Sequence, residues 1–250
     1  MKRLHSKVIL VAGAGNIGNE CARRYASEGA AVVLGDIRLE VAQGAVDEIR
    51  AAGGQAEAVR LDGGEEATIA AAVALACEQF GGLDGLHANF AAVLEGRSGP
   101  TSVIDTPLDM YDQIMRVNAR GFMLCTRHAL PPIIARGGGS IVYTSSGAAK
   151  SGTETRFAYA MSKAAGEALM RHVAARFGPD GVRANAIAPG VVDRPTLMPD
   201  AREMAMKGNR IRRLGQAADI AAMATLLLSD EGSYITGQVL SIDGGISMRG

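Results

Sequence analysis

The sequence predicts an α/β fold: a doubly wound parallel β-sheet flanked by helices on both faces, in three layers. Three observations lead there. Short apolar runs rich in β-branched residues alternate with longer helical stretches, the order that parallel strands joined by crossover helices require. The runs at 8–12 and 31–34 are nearly continuous in apolar residues, as strands covered on both faces should be. A glycine-rich turn, Gly13-Ala14-Gly15-Asn16-Ile17-Gly18, joins the first run to the first helical stretch.

Taken in order, strands are expected over 8–12, 31–34, 57–61, 85–88, 140–144, 181–188 and 238–242. Helices are expected over 17–28, 39–52, 65–80, 110–135, 157–177 and 217–228. No linker, repeat or low-complexity stretch interrupts the series, so residues 1–250 read as one domain. The least regular segment, about 190–215, contains Pro195, Pro199 and Gly208 and is read as a substrate lid, since long irregular segments in compact domains are usually functional.

Composition narrows the function classes. Of 250 residues, 48% are hydrophobic and 21% charged, values of a globular chain with a full core. Net charge is zero, which gives no encouragement to a nucleic-acid or anionic-membrane partner. Cys21, Cys77 and Cys125 are scattered without a C-x-x-C, as expected of free thiols in a reducing cytoplasm. The basic start, Met1 to Lys7, runs into a short apolar stretch that meets glycines at once, the pattern of a strand and not of a signal peptide. No apolar run approaches membrane-spanning length. His5, His87, His128 and His172 share no ligand spacing, so no metal site is expected.

Gly13–Gly18 is G-x-G-x-x-G in the strand–loop–helix setting that the motif needs. Glycine lets backbone approach a pyrophosphate, and the helix N-terminus offers free N–H groups. Asp36, about 20 residues on at the end of the second strand, can accept bonds from adenosine ribose hydroxyls and repel a 2′-phosphate, which favours NAD over NADP. Its ordinary reading is a cap for the next helix, and Arg38 beside it leaves some room for the phosphorylated cofactor. Asp62, in Leu61-Asp62-Gly63-Gly64, is placed for the adenine edge, although Asp-Gly-Gly is also a plain turn. Asn89, in His87-Ala88-Asn89-Phe90-Ala91, closes the fourth strand on the same rim.

Tyr159 and Lys163 stand four apart in a predicted helix, so one turn puts phenol and ammonium on one face. A phenol at pKa ~10 needs about 4 kcal/mol of preference for phenolate to become a base near neutrality, and a neighbouring cation acts in that sense. On spacing alone they are an ordinary amphipathic pair. Together with Val117-Asn118, the run Ile141 to Ser146, Asn185 to Gly190 and Tyr234 to Gly245, however, the chain resembles the short-chain dehydrogenase/reductase family over nearly its whole length.

The resemblance implies a Rossmann-type fold and hydride transfer between a nicotinamide and a secondary alcohol or ketone. It implies that Tyr159 is the general acid–base, that Lys163 lowers its pKa and holds the nicotinamide ribose, and that Ser146 rather than Ser145 orients the substrate oxygen, lying thirteen positions before the tyrosine. Asn118 is expected to break its helix locally and to help a water connect Lys163 to solvent. The cofactor is expected along Gly13, Gly15, Asn16, Ile17, Gly18, Asp36, Ile37, Asp62, Gly63, Asn89, Tyr159, Lys163, Pro189, Gly190 and Val192. Three departures stand out: a glycine loop one residue short, Phe90 and Ala91 where the family has small residues and a glycine, and Arg194 in place of a threonine that bonds the carboxamide. Either Thr196 or the backbone at Val192 takes that role.

Arg194, Arg202, Lys207, Arg210, Arg212 and Arg213 interleave with Leu197, Met198, Met204 and Met206, a surface that suits an acidic or amphipathic substrate. The preferred reading is a solvated helix with cations outward and methionines inward. The resemblance also implies a homotetramer or homodimer and a small-molecule substrate. An NADPH-dependent 3-oxoacyl thioester reductase and a non-catalytic nucleotide-sensing protein are the alternatives. Asp36 argues against the first, and the intact Ser146, Tyr159 and Lys163 against the second.

Overall fold

Every residue of Val8–Ala12 is apolar, and successive side chains of a strand leave opposite faces, so this segment is stable only with cover on both sides. The computed structural model, which describes residues 2–93, 102–152 and 154–248, supplies that cover. Seven parallel strands form one sheet in the order β3-β2-β1-β4-β5-β6-β7. They are β1 (Val8–Ala12), β2 (Ala31–Asp36), β3 (Gln55–Arg60), β4 (Gly85–Ala88), β5 (Gly139–Thr144), β6 (Val182–Pro189) and β7 (Val239–Ile242). The expected strands are all present, 8–12 and 85–88 with the expected ends and the others with ends shifted by at most two residues.

Alternation splits the core in two. Leu10, Leu86 and Ile141 pack with Ile69, Phe122 and Met170 on one face. Ile9, Val11, Val32 and Leu34 pack with Tyr25, Val46, Ile220 and Leu227 on the other. The first face is covered by α3 (Glu66–Phe80), α5 (Gly121–Ala135) and α6 (Phe157–Phe177), the second by α1 (Gly15–Ser27), α2 (Leu39–Ala51) and α8 (Ala217–Leu228). Burying each large aliphatic side chain contributes about 1.5–3 kcal/mol. This is the Rossmann-type arrangement. No helix among the described residues is long and apolar enough to cross a membrane.

Two expectations need correction. The helix expected over 110–135 is three pieces: α4 (Leu108–Ile114), a π-helical turn at Met115–Arg120, and α5. The wider turn accommodates Asn118, which is fully buried and spends its amide outside the helix, the kind of local competition that produces π-bulges. The segment 190–215 is not irregular throughout, because it contains α7 (Pro199–Gly208). Pro199 and Gly208 are the start and stop of that helix and not breaks in it: proline fits the first turn, where the missing N–H has no partner to lose.

Strand order reverses between β1 and β4, so the chain leaves β1 towards β2 on one side and reaches β4 on the other. That reversal opens a crevice at the carboxyl ends of the strands. Gly13, Asp36, Asp62, Asn89, Ser146 and Gly190 all sit at or just beyond those ends.

Candidate active site

The glycine turn after β1 needs its glycines. Gly13 has φ +102° and Gly15 φ +70°, values at which an L side chain is strained. A Cβ at Gly18 would stand 2.0 Å from the Gly13 carbonyl oxygen, so the third glycine lets α1 close onto the loop. A cavity of about 410 Å³ opens beside it, lined by Gly13, Ala14, Asp36, Ile37, Arg38, Asp62, Gly63, Asn89, Phe90 and Arg116 among others. Asp36 is not the helix cap. Its carboxylate accepts from Ala14 N at 3.0 Å and from Arg38 N at 3.0 Å, which fixes the acid at the cavity edge. Asp62 accepts from Gly64 N at 2.8 Å, so it both makes the turn and lines the cavity. Backbone freed of side chains, an open helix N-terminus and an edge carboxylate fit the pyrophosphate and adenosine ribose of a dinucleotide.

Phe90, a departure from the expected small residue, is matched by its surroundings. A Cβ at Gly63 would meet the ring at 2.5 Å, and one at Gly121 would meet it at 2.9 Å. The ring also packs edge-on to Phe122, with centroids 5.2 Å apart. Gly63→Ala is therefore expected to lower unfolding free energy by about 1–3 kcal/mol through overpacking. Adding Phe90→Ala should recover part of that loss. Urea melts of both singles and the double test it, and strictly additive effects would show that the ring is not what fills the space.

At the carboxyl end of β5, α6 carries Tyr159 and Lys163 one turn apart. Lys163 is buried, its Nζ donating to the Thr144 carbonyl at 2.7 Å. Nζ lies 4.7 Å from the centroid of Phe122 and 5.8 Å from that of Tyr159. Burial pulls the lysine pKa from its ordinary range to about 7, while the Phe122 face offers the ammonium partial compensation. Tyr159 is partly exposed, with the Arg156 guanidinium 5.9 Å from its ring on the outer side. Arg156 itself has φ +60°, a left-handed backbone rare for residues other than glycine.

The two serines separate cleanly. Ser145 is buried and donates to Glu167 Oε1 at 2.7 Å, so its hydroxyl is committed. Ser146 is half-buried, and its Oγ accepts from Ala148 N at 3.2 Å, which leaves its proton able to donate. Asn118 accepts from Ala92 N at 2.6 Å and donates to Ala92 O and Ser162 Oγ, both at 3.0 Å. It thereby ties the segment after β4 to the Tyr159 helix. Thr144, Phe122, Ala92 and Ser162 were not singled out from the sequence. Phe122 could have been, since it lies four residues past Asn118 in a helix already marked.

After β6, Gly190 approaches Asp243 so closely that a Cβ would stand 2.8 Å from its Cα. Val192 bridges to Gly215 through Gly215 N–H to Val191 O and Asp193 N–H to Gly215 O, so the peptide groups of Val192 itself face the opposite side. Arg194 and Thr196 are exposed. Asn16 Nδ2 donates to Asp193 O at 2.8 Å, linking the glycine loop to this segment. Arg202 pairs with Asp193, Lys207 with Glu203 and Arg213 with Asp219. The methionines do not turn inward as expected: Met198 is 69% and Met204 73% exposed. Helix α7 touches the fold too lightly to bury them.

A cleft of this make suits a dinucleotide-dependent oxidoreductase of the doubly wound class, and comparison with known proteins agrees. Residues 11–247 match the family model described as enoyl-(acyl carrier protein) reductase. The 2,5-dichloro-2,5-cyclohexadiene-1,4-diol dehydrogenase of Sphingobium indicum is 38% identical over 98% of both chains. The cyclohexanol dehydrogenase of an Acinetobacter strain is 33% identical over 99% of this chain and 97% of its own. A solved 7α-hydroxysteroid dehydrogenase, complexed with NADH and 7-oxo glycochenodeoxycholic acid, superposes with a TM-score of 0.89 at 34% identity, covering 97% of this chain and 95% of that one. The chain belongs to the short-chain dehydrogenase/reductase family.

Proposed function

We propose that this protein is an NAD-dependent dehydrogenase that oxidises a secondary hydroxyl carried on a ring. The observation that carries the reading is the buried Lys163 ammonium, one helical turn from Tyr159 and held at the carboxyl end of β5, on the same rim of the sheet as the acid-edged cavity. Support for a cyclic alcohol comes from the relatives, whose names describe a cyclohexadienediol, cyclohexanol and a hydroxysteroid as substrates. These names do not favour the acyl thioester reductase reading.

Bound NAD supplies the hydride acceptor. Gly13, Gly15, Asn16, Ile17 and Gly18 would hold its pyrophosphate, Asp36, Ile37, Asp62, Gly63 and Asn89 its adenosine, and Lys163 with Pro189, Gly190 and Val192 its nicotinamide end. Tyr159, as phenolate, takes the hydroxyl proton while the Ser146 hydroxyl donates to the same oxygen. Lys163 stabilises the phenolate by charge. Asn118 fixes the turn of α6 on which both stand, through Ser162, and completes a path for the proton towards solvent. Cellular NAD is held mainly oxidised, which favours the alcohol-to-ketone direction. The reading also includes a cytoplasmic homotetramer or homodimer, by analogy with the family.

The test is a panel of cyclic and open-chain secondary alcohols, each assayed with NAD and with NADP. NAD should be preferred, and Asp36→Ala should erode the preference by about tenfold, roughly one carboxylate contact. Equal or better use of NADP by the wild type overturns the cofactor assignment.

A further inference from the structure

His87 lies at the centre of a buried chain of hydrogen bonds whose direction can be worked out from one end. The Gly13 carbonyl can only accept, so the Asn89 atom facing it at 2.9 Å is Nδ2. Asn89 Oδ1 then faces Thr144, can only accept, and takes the single hydroxyl proton of Thr144 at 2.8 Å. Having spent that proton, Thr144 Oγ1 can only accept from His87 Nε2, 2.9 Å away. The Nε2 atom therefore carries a proton. Burial, reinforced by the charge of Lys163, pushes the imidazole pKa down to about 3, so the ring is neutral and Nδ1 is bare. Nδ1 accepts from Tyr25 Oη at 2.9 Å, and burial holds Tyr25 protonated by pushing its pKa well up.

Four bonds thus run head to tail from α1 through β4 and β5 back to the glycine loop. Aligned bonds of this kind polarise one another, and a buried partner left unpaired costs more than the bond itself contributes. Thr144 also accepts the Lys163 ammonium on its carbonyl. One residue therefore holds the lysine by its main chain and the loop by its side chain.

We propose that His87 is a positioning residue for the dinucleotide loop: in the Nε2–H tautomer, with Nδ1 taken up by Tyr25, it directs the Thr144 proton to Asn89 and so clamps Asn89 on the Gly13 carbonyl. The role rests on the dehydrogenase reading for the identity of the ligand, and on hydrogen-bond geometry for everything else. His87 is fully buried and lies outside the lining of the cavity. His87→Gln preserves the order of donor and acceptor, whereas His87→Leu abolishes both ends.

Nitrogen-15 spectra of imidazole-labelled enzyme should show a neutral Nε2–H ring at His87; an Nδ1–H or charged ring overturns the proposal. NADH titration by fluorescence should show His87→Leu binding about tenfold more weakly, the worth of one buried hydrogen bond, with His87→Gln recovering most of it. At saturating NAD, kcat should stay within about twofold, a split that general loosening of the fold would not give. If His87→Leu does not fold, Tyr25→Phe takes its place and should weaken NADH binding about threefold. A wild type that binds no NADH overturns the dehydrogenase reading and this role together. A wild type that binds, beside folded variants that bind equally well, overturns this role alone.

Discussion

Tyr159→Phe should bind NADH with wild-type affinity and lose hydride transfer by a factor of about 10²–10⁴, the usual worth of a positioned acid–base group. The ring, and with it the packing of Tyr159 against Arg156 and Lys163, is unchanged. Only the oxygen that exchanges the substrate proton is removed. Stopped-flow measurement of NADH formation, with NADH titration as the binding control, gives the split directly. Unchanged turnover would sink the mechanism. Absence of turnover in the wild type on every alcohol and ketone tried, with NADH still bound, would return the non-catalytic nucleotide-binding reading to the front.

Lys163→Met should cost about 10²–10³ in kcat/KM and change stability with opposite sign at the two ends of the pH range. The lysine pKa is about 7 in the fold and 10.5 as a free side chain. Between those values the unfolded chain binds the extra proton, so wild-type stability rises with pH across this window. Below about 7 the full cost of burying the ammonium is present, on the order of 5 kcal/mol. Above 10.5 it is gone. Methionine never carries that cost, but it forfeits the bond to the Thr144 carbonyl, worth about 1–2 kcal/mol. The variant should therefore be more stable than wild type at pH 6 and less stable at pH 10. Urea melts at the two pH values read the crossover, and parallel curves would show that the ammonium is not buried at its full cost.

Much of this was legible in the sequence. The inner strands β1 and β2 could be found because fully covered parallel strands must be apolar on both faces, and Phe157–Phe177 because 21 residues run without a proline. The rim followed from strand ends alone, since Gly13, Asp36, Asn89 and Ser146 each close a strand of one parallel sheet. What escaped depended on contacts between distant segments. The place of Phe122 under Lys163 is set by how α5 and α6 cross one face of the sheet. His87 looked like an isolated strand residue because its partners, Tyr25 and Thr144, lie 62 and 57 positions away. Helix α7 escaped for another reason: its proline and glycine are boundary signals, and they read as breakers when the helix between them buries so little.

The seat of Phe90 restricts the paths by which this protein could have arisen or could diverge. With the ring in place, Gly63 cannot gain a side chain without meeting it at 2.5 Å, whereas Gly121 is closed by the Gly63 carbonyl oxygen at 2.4 Å with or without the ring. With Gly63 replaced first, the ring and the new side chain would contend for the same space. Phe90 and a side chain at Gly63 therefore exclude each other, so a chain that fills Gly63 has to give up the ring first. The order of substitutions at these two sites is set by sterics, and the ring that sets it is also a wall of the cleft.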